Sequence, residues 1–374
     1  MISELINNQT FGFIGFGLIG GSIAKLLRKN HENIRLIAYN YYGDKPHPSL
    51  EMALSDGVLN QISTDLSKDF KDCDVIFLCA PVLTNIAYLK ELKHIIKPNC
   101  ILTDVGSVKG NIYEAVAKLG LEKHFVGGHP MAGSEKTGYE SANLRLFENA
   151  YYVLTPTKEV PEQAVDFMKA LVTEITAIPV ILDCKAHDDM VAAISHVPHI
   201  IAASLVNMVR TNDDENGSMI SLAAGGFKDI TRIASSSPVM WQNICLTNKD
   251  SIKKFLDLYK ASIDEIYSYI DNGCEDALYD YFETNKDYRD SIPQKSSGII
   301  GKVHELYLDI IDEAGAIASI ATILASNGIS IKNIGIIHNR EFEDGVLHIE
   351  FYEEEAVEKA IVIFERHHYN IYKR

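Results

Sequence analysis

The sequence predicts an α/β protein with three domains: an N-terminal doubly wound parallel sheet, an all-helical middle domain and a small C-terminal domain of βαββαβ order. Three observations predict this. Short apolar strands alternate with helical segments in the first half, which is typical of a parallel sheet covered by helices. From Asp183 onward, apolar residues recur at helical spacing. Strands then return after a polar stretch. We expect domains at 1–182, 183–290 and 301–374, with a linker at 291–300.

The composition is that of a globular chain with an excess of acidic residues. Of the 374 residues, 47% are hydrophobic and 23% are charged, and the formal net charge is −16. This charge argues against nucleic acid or an anionic membrane as a partner. No apolar run approaches a membrane span, and the N-terminus lacks the pattern of a signal peptide. The six cysteines are scattered without a C-x-x-C pair, so we expect reduced thiols and a cytoplasmic protein.

A glycine-rich turn follows the first predicted strand, Thr10–Ile14. It has the pattern G-x-G-x-x-G and leads into a helical run that reaches about Asn30. Such glycines let a pyrophosphate approach the backbone, and the helix N-terminus supplies N–H groups and partial positive charge. We therefore predict a Rossmann-type dinucleotide-binding domain. The cofactor contacts predicted at this turn are Gly15, Gly17, Leu18, Ile19 and Gly20.

The choice between NAD and NADP depends on Asn40, which ends the second predicted strand. NAD enzymes usually have an acidic residue at this position. Asn40 can still hydrogen-bond a ribose hydroxyl, and only Lys45 offers positive charge nearby. NAD is the expected cofactor, with NADP left open. Cys79 and Pro81, which follow the third strand, are further predicted cofactor contacts.

Ser107 lies just beyond the fourth predicted strand, which ends at Asp104. Ligands of open α/β sheets bind at the carboxyl ends of the strands. Ser107 is therefore predicted to reach the nicotinamide or the substrate. The alternative role is helix N-cap for a run that starts at Val108, and both roles are compatible.

The stretch 127–138 holds His129, Glu135 and four glycines. Pro130 fixes its own φ and favours an extended conformation for His129. The imidazole is thus presented from a rigid loop after a strand, which suits a general base or acid near neutral pH. The alternative is a glycine-rich turn with a buried, hydrogen-bonded histidine.

The helical domain contains Ser195, His196, Pro198 and His199 within five residues. Two histidines three positions apart share one face of a helix. No third ligand at a characteristic spacing accompanies them, so we predict no metal site. We expect one histidine to bind substrate and the other to pack, and Pro198 to bend the helix. The long amphipathic helix farther on has enough apolar surface to predict a homodimer.

Gly225 opens a stretch that leads into a helix carrying Asp229 and Arg232. One interpretation is a surface ion pair between residues three apart. The other is an arginine held by its aspartate and directed at a carboxylate, which a planar guanidinium can bind through two hydrogen bonds.

The C-terminal domain has three features at which we expect an effector to bind. Gly315 and Ala316 lie at the turn between the first strand and helix, where a glycine leaves room for a ligand backbone. Asn327 precedes Gly328 at the end of that helix, as in a left-handed cap. Asn333, farther along, offers amide groups to the ammonium and carboxylate of an amino acid.

Five blocks of sequence, taken in order, resemble the bacterial prephenate dehydrogenase family in the form that carries a C-terminal ACT regulatory domain. They are residues 15–21, 104–109, 128–135, 195–199 and 225–232, and the resemblance extends over nearly the whole chain. It implies that NAD oxidises prephenate, with loss of carbon dioxide, to 4-hydroxyphenylpyruvate, the precursor of tyrosine. Because the ACT domain of the family commonly senses aromatic amino acids, L-tyrosine is the expected effector.

The resemblance also implies roles for individual residues. His129 would hydrogen-bond the ring hydroxyl of the substrate, with Ser107 assisting. The residues expected to bind the substrate or support its pocket are Glu135, Ser195, His196, His199, Gly225, Asp229 and Arg232. Two other functions stay open: arogenate dehydrogenase, which performs the same chemistry on the amino-acid form, and a non-catalytic amino-acid sensor. The presence of His129, Ser107 and Arg232 argues against the sensor.

Overall fold

The chain divides into two compact units, Met1–Gly298 and Ile299–Arg374. The computed structural model describes residues 6–43, 45–133, 136–292, 304–310, 315–337, 345–367 and 369–372. The linker predicted at 291–300 falls at the division between the units, and all but its first two residues lie outside the described residues.

Five parallel strands form the first sheet of the N-terminal unit. They are β1 (Thr10–Ile14), β2 (Arg35–Tyr39), β5 (Gln61–Ile62), β6 (Val75–Leu78) and β7 (Ile101–Asp104). Their order is β5-β2-β1-β6-β7, and every neighbouring pair is parallel. The chain thus extends to both sides of β1, as the prediction of a doubly wound sheet requires. The switch point between β1 and β6 is where such sheets bind ligands.

Helices and one hairpin connect these strands. The hairpin consists of β3 (Tyr41–Tyr42) and β4 (Lys45–Pro46). The helices of this part of the chain are α1 (Leu18–Asn30), α2 (Pro48–Ser55), α3 (Leu66–Asp69), α4 (Val82–Leu92), α5 (Gly110–Leu119) and α6 (Glu162–Glu174). Stacked aromatic rings fill the core beside β1, where the Phe13 and Phe77 centroids are 5.2 Å apart. Separate apolar clusters bury both faces of the sheet, which explains why these strands are continuously apolar.

A second, three-stranded sheet continues the unit and carries His129. Its strands are β8 (Val126–Pro130), β9 (Tyr151–Pro156) and β10 (Ile178–Ile181). β9 pairs antiparallel with β8 and parallel with β10. The sequence predicts strands here but not the antiparallel pair. The chain turns back between β8 and β9 without a crossover α-helix among the described residues, and strands joined in this way pair antiparallel.

The helical domain begins with one continuous run, Cys184–Asn212. It consists of α7 (Cys184–Val191), a π-helical turn (Ala192–His196) and α8 (Val197–Asn212). The sequence predicts a bend at Pro198, and the π turn lies directly before it. A proline there removes one backbone donor and crowds the preceding turn, which favours a local change of hydrogen bonding.

The same run corrects one expectation from the sequence. By length and composition alone it is the one helix of the described residues that is long and apolar enough to cross a membrane, with a mean hydropathy of 1.4. The expectation that no apolar run approaches this length is therefore wrong. A single such helix is weak evidence for a membrane span, because core helices of globular proteins pass the same test. This one also carries the buried polar residues His187, Asp188 and His196.

Shorter and longer helices complete the domain. They are α9 (Ser218–Leu222), α10 (Gly225–Thr231), α11 (Pro238–Thr247), α12 (Lys249–Asp271) and α13 (Glu275–Ser291), with a 3₁₀ turn at Arg232–Ser235. Ser237 caps α11 by accepting from the Met240 N–H. α12 buries Ile252 near its start, whereas Tyr267 and Ile270 near its end are exposed.

The C-terminal unit has the βαββαβ order that the sequence predicts. Its elements are β11 (His304–Ile310), α14 (Ala316–Ser326), β12 (Ile331–Ile337), β13 (Gly345–Phe351), α15 (Glu354–Arg366) and β14 (Ile371–Tyr372). The strands form an antiparallel sheet in the order β12-β13-β11-β14. Apolar side chains from the sheet and both helices, such as Leu308, Leu324 and Phe364, form a separate core.

Candidate active site

The glycine-rich turn between β1 and α1 leaves the helix N-terminus open. Gly15 has a φ of +81°, and a Cβ there would lie 2.6 Å from the Ala80 nitrogen, so only glycine fits. The N-cap residue Gly17 makes no side-chain cap, and the first turn of α1 contains no acidic residue. A Cβ at Gly17 would meet nothing within 4 Å. Free N–H groups, positive helix charge and open space fit a dinucleotide phosphate.

The other predicted cofactor residues lie at the carboxyl ends of neighbouring strands. Asn40 follows β2, and its carbonyl accepts from the His47 N–H at 2.8 Å. Cys79 follows β6, and its sulfur would lie 3.2 Å from a Cβ at Gly20, so it packs against the glycine turn. Burial raises the pKa of the Cys79 thiol, which therefore stays neutral. Pro81 is the N-cap residue of α4.

A buried ion pair joins the end of β7 to β8. Asp104 and Lys109 are both fully buried, and the Lys109 ammonium donates to Asp104 Oδ2. The same ammonium donates to the Gly128 carbonyl at 2.7 Å, while Asp104 Oδ1 accepts from the Gly128 N–H at 3.2 Å. A Cβ at Gly128 would lie 2.6 Å from the Asp104 carbonyl oxygen. These contacts fix the backbone that presents His129, and the sequence analysis missed them.

Ser107 lies on the loop between β7 and α5 and is half-buried. Its alternative role as a helix N-cap is wrong, because α5 begins at Gly110 and its N-cap residue is Lys109. The Ser107 hydroxyl makes no hydrogen bond to any residue in the described part of the chain. It is therefore free to bond a ligand at the edge of the sheet.

His129 heads a chain of hydrogen-bonded side chains that reaches into the helical domain. Its Nδ1 lies 2.8 Å from His187 Nε2, and the rings meet edge to face. His187 Nδ1 lies 2.8 Å from Asp188 Oδ1. Asp188 in turn accepts from the backbone N–H groups of Lys109 and Gly110, both at 2.8 Å. The sequence analysis missed His187 and Asp188, whose only signal is an adjacent His-Asp pair on a helix.

The surroundings of His129 favour its neutral form. His129 is half-buried. Burial, followed by the neighbouring His187, Lys109 and His196, holds the pKa of His129 well below its usual range. At neutral pH the ring is an uncharged imidazole that can accept a proton. This combines the two alternatives from the sequence: the histidine is hydrogen-bonded within the protein and still partly accessible.

His199 lines an open cavity in the helical domain. The cavity has a volume of about 610 Å³ and is also lined by Ser236, Trp241 and Gln242. The His199 ring stacks on the Trp241 ring, with centroids 3.5 Å apart, and burial lowers the pKa of His199. Trp241 Nε1 is buried without a hydrogen-bond partner in the described residues. His129 is not part of this lining.

His196 is buried behind this cavity. It meets the Trp241 ring edge to face, and its Nδ1 lies 3.3 Å from Asn248 Nδ2. Burial lowers the pKa of His196 to about 4. His196 therefore packs, whereas His199 lines the cavity, and the expected binding of substrate by one of the two histidines stays a prediction. Within the described residues no group of three or more histidine, cysteine or acidic side chains could hold a metal ion.

The predicted pair of Asp229 and Arg232 is not formed. Both side chains are exposed, and neither an ion pair nor a hydrogen bond joins them in the described part of the chain. The expectation of an arginine held by its aspartate is therefore wrong. The physical reason is that both side chains are solvated, and an ion pair between exposed side chains gains little. Gly225 is the first residue of α10.

Ser195 and Glu135 are two further predicted pocket residues. Ser195 is exposed on the π turn, next to the buried His196. Glu135 lies outside the described residues, so its position relative to His129 is left as a prediction.

The residues predicted to bind an effector lie at the ends of α14 and on β12. Gly315 has a φ of +99° at the N-cap of α14, ahead of Ala316, and a Cβ there would meet nothing within 4 Å. The Asn327 amide donates to the Ile323 carbonyl at 2.8 Å. The Asn333 amide donates to Glu350 at 3.2 Å, so one of its donors is already used within the protein.

Together, the doubly wound sheet, the open glycine turn and a neutral histidine at the carboxyl edge define a dinucleotide-dependent dehydrogenase with an added helical domain. Comparisons with known proteins show which family of dehydrogenases this is. The family model "Prephenate dehydrogenase, nucleotide-binding domain" matches residues 23–181, and "Prephenate dehydrogenase, dimerization domain" matches residues 183–284. The chain belongs to the prephenate dehydrogenase family.

Individual relatives agree with this assignment. Prephenate dehydrogenase of Bacillus subtilis is 40% identical over 94% of this chain and 94% of its own length. The structure of prephenate dehydrogenase from Aquifex aeolicus with hydroxyphenyl propionate and NAD+ matches with a TM-score of 0.70 and 31% identity, over 76% of this chain and 98% of that one. Arogenate dehydrogenase of Synechocystis matches with a TM-score of 0.67 and 29% identity, over 75% of this chain and 99% of that one.

Proposed function

We propose that this protein is an NAD-dependent dehydrogenase that converts prephenate to 4-hydroxyphenylpyruvate, carbon dioxide and NADH. The observation that carries the proposal is the state and position of His129. It is a neutral, partly open imidazole held by His187 at the carboxyl edge of the sheet, in the same unit as the open glycine turn. Membership of the prephenate dehydrogenase family supplies the substrate.

The residues of the site suit the steps of this reaction. Prephenate has a hydroxyl on the ring carbon that loses hydride, and NAD, when bound, accepts that hydride. His129 accepts a hydrogen bond, and with it proton density, from the hydroxyl as the hydride leaves. The bond to the ring carboxylate then breaks, and its electron pair makes the ring aromatic. The phenolic oxygen keeps or regains the proton from His129, so the reaction releases no net proton.

Substrate binding is assigned to residues near His129 and to the helical domain. Ser107 has an unpaired hydroxyl, within the described residues, that can assist His129. Arg232 has no ion-pair partner there, which leaves its guanidinium available to a substrate carboxylate. His199 presents its ring to an open cavity. We assign supporting roles in the pocket to Glu135, Ser195, His196, Gly225 and Asp229.

The cofactor contacts assigned to the sheet are those predicted from the sequence. Gly15, Gly17, Leu18, Ile19 and Gly20 would hold the pyrophosphate, because the α1 N-terminus is uncapped. Asn40 would bond the ribose, with Cys79 and Pro81 beside it along the edge of the sheet. We expect NAD to be preferred over NADP, since no arginine follows Asn40.

Arogenate is the second candidate substrate, and it is favoured by the similarity to the Synechocystis enzyme. The test is NADH formation by purified protein with prephenate or arogenate, each with NAD and with NADP. We expect the highest kcat/KM with prephenate and NAD. A higher kcat/KM with arogenate would make it the substrate. If none of the four combinations of substrate and cofactor yields NADH or NADPH, the dehydrogenase function is refuted. A non-catalytic amino-acid sensor is then favoured.

We also propose a division into a dinucleotide-binding domain at 1–182, a substrate and dimerisation domain at 183–290, a linker at 291–300 and an ACT domain at 301–374. The βαββαβ order of the C-terminal unit supports the last assignment. L-tyrosine would bind there through Gly315, Ala316, Asn327 and Asn333, because Gly315 has open space around its Cα. The exposed apolar side chains of α12 support a homodimer, and six free cysteines support a cytoplasmic protein.

Truncation after Ser291 tests the regulatory proposal. We expect the truncated enzyme to keep its activity and lose its sensitivity to tyrosine. Equal inhibition of both forms would mean that tyrosine competes at the active site. Loss of activity with dissociation to monomers would mean that the C-terminal unit only stabilises the oligomer.

A further inference from the structure

The hydrogen bonds between Asp188, His187 and His129 have one consistent direction when His187 is neutral. Both oxygens of Asp188 accept backbone N–H groups, those of Lys109 and Gly110, so the carboxylate acts as an acceptor. His187 Nδ1 must then carry a proton and donate to Asp188 Oδ1, at 2.8 Å. In a neutral imidazole the other nitrogen has a lone pair. His187 Nε2 is therefore an acceptor.

This direction determines the proton position on His129. Its Nδ1 lies 2.8 Å from His187 Nε2, and one of the two nitrogens must carry the hydrogen. Because His187 Nε2 is the acceptor, His129 Nδ1 is the donor. The neutral His129 ring then has its lone pair on Nε2, the nitrogen that is not used in this chain. A histidine that accepts a hydrogen bond from a substrate hydroxyl needs this tautomer.

We propose that His187, oriented by Asp188, is a positioning residue that holds His129 in the tautomer with a basic Nε2. The proposal rests on the function proposed above, because it concerns the hydroxyl that His129 serves. Neither His187 nor Asp188 needs to touch the substrate. Their effect is carried through one hydrogen bond to His129 Nδ1, in the way that a buried acid orients the histidine of a serine protease.

The charges around His129 explain why such a chain is needed. Burial opposes a positive charge on His129, and Lys109 on the loop before α5 and His196 on the π turn add to this effect. Asp104 is engaged by Lys109. As proton density moves from the hydroxyl to His129 Nε2, the Nδ1–H bond to His187 strengthens. Asp188 then offsets part of the developing charge through His187, until the proton returns to the phenolic oxygen.

Two substitutions at the same position separate hydrogen bonding from packing. His187→Gln keeps an amide oxygen that can accept from His129 Nδ1, whereas His187→Met has a similar volume and no strong acceptor. The matched control is His31→Gln. His31 is also a buried histidine next to an acid, Glu174 at 3.1 Å, and its other contact is Asn7 rather than the site.

We expect kcat with prephenate and NAD to fall roughly 100-fold or more in His187→Met, since a wrong tautomer can cost up to about 10⁴-fold in a comparable triad. His187→Gln should retain clearly more activity than His187→Met. The acid limb of the kcat/KM profile should move to lower pH in His187→Met, because protonated His129 then loses the acceptor for its Nδ1–H. The KM for NAD should change in neither variant. His31→Gln should keep the wild-type kcat and pH profile.

A spectroscopic measurement tests the tautomer without turnover. In protein labelled with ¹⁵N-histidine, the His129 signals, assigned by their loss in His129→Ala, should show a protonated Nδ1 and an unprotonated Nε2 in the neutral state. A protonated Nε2 would overturn the proposal. Equal kcat in the glutamine and methionine variants, with an unmoved pH profile, would also overturn it and leave His187 a packing residue. If wild-type protein produces no reduced cofactor, the function proposed above fails instead, and the tautomer measurement still decides this one.

Discussion

The surroundings of His129 and those of Arg232 differ in how far they are organised without substrate. His129 is bonded to His187, and its backbone is fixed by the buried Asp104–Lys109 pair. Arg232 is exposed on a 3₁₀ turn, with no ion pair in the described part of the chain. The first region is assembled before substrate arrives, whereas the second has a charge that is still solvated.

This difference follows from what each group must do. A base acts through one nitrogen, whose proton must be absent and whose direction must be set, so it gains from buried neighbours. A guanidinium that binds a carboxylate must exchange water for substrate, and an existing buried partner would compete with that exchange. The comparison predicts that substitutions near His129 change kcat or folding, and that substitutions at Arg232 change KM.

His129→Ala is expected to have the largest effect. Its kcat should fall roughly 10²–10⁴-fold, the usual contribution of a positioned general base. The affinity for NAD should hardly change, because the glycine turn is not altered. Steady-state kinetics and a fluorescence titration with NAD measure the two quantities. A near-normal kcat would show that His129 takes no part in the reaction. The proposed difference between the surroundings of His129 and those of Arg232 would then be wrong.

Lys109→Met tests the buried ion pair between Asp104 and Lys109, which supports the strand that carries His129. It leaves the carboxylate of Asp104 buried and unpaired, which should lower the free energy of unfolding by about 3–5 kcal/mol. The double variant Asp104→Asn with Lys109→Met should recover part of this loss, because neither charge then remains buried. Urea unfolding of all three proteins measures the difference. If the single variant is as stable as wild type, the buried pair does not hold the His129 strand.

Acid pH should destabilise the protein through its buried neutral histidines. His196 has a folded pKa of about 4, whereas its unfolded value is about 6.5. Above pH 6.5 His196 is neutral in both states, and its contribution to the stability of the protein is fully present. As pH falls from 6.5 toward 4, only the unfolded state gains a proton, so stability is lost, on the order of 3 kcal/mol for this group. His129, whose pKa is also lowered, adds in the same direction.

The variant His196→Asn measures the contribution of His196 to the pH dependence of the stability. Its free energy of unfolding should fall less than that of wild type between pH 6.5 and pH 4. Parallel pH dependences in the two proteins would mean that His196 is protonated as easily in the folded state as in the unfolded one.

Arg232→Ala should have the smallest effect on the protein and act on substrate alone. Loss of a charged hydrogen bond is expected to raise KM for prephenate roughly 10- to 100-fold. The melting temperature should not change, since the side chain is exposed and unpaired among the described residues. An unchanged KM would mean that another cation binds the carboxylates. A large fall in stability would mean that the region around Arg232 is as organised as that around His129.

The sequence by itself determined the elements that depend on local spacing. The turn from Gly15 to Gly20 requires particular backbone angles and a helix start, and both are encoded within a few residues. Helical periodicity after Asp183 and the βαββαβ order after the linker are also local patterns. His129 could be selected in the same way, because Pro130 and the surrounding glycines restrict its conformation.

Only the tertiary structure decided which groups surround His129. His187 is 58 positions away in the chain, and Asp188 is 79 positions from Lys109, whose backbone it binds. No periodicity connects such distant positions, because their meeting depends on how the helical run packs against the sheet. The antiparallel pairing of β8 with β9 was likewise not encoded by any single strand. The spacing of Asp229 and Arg232 suggested a pair, but the structure leaves both side chains exposed, and solvated charges gain little from pairing.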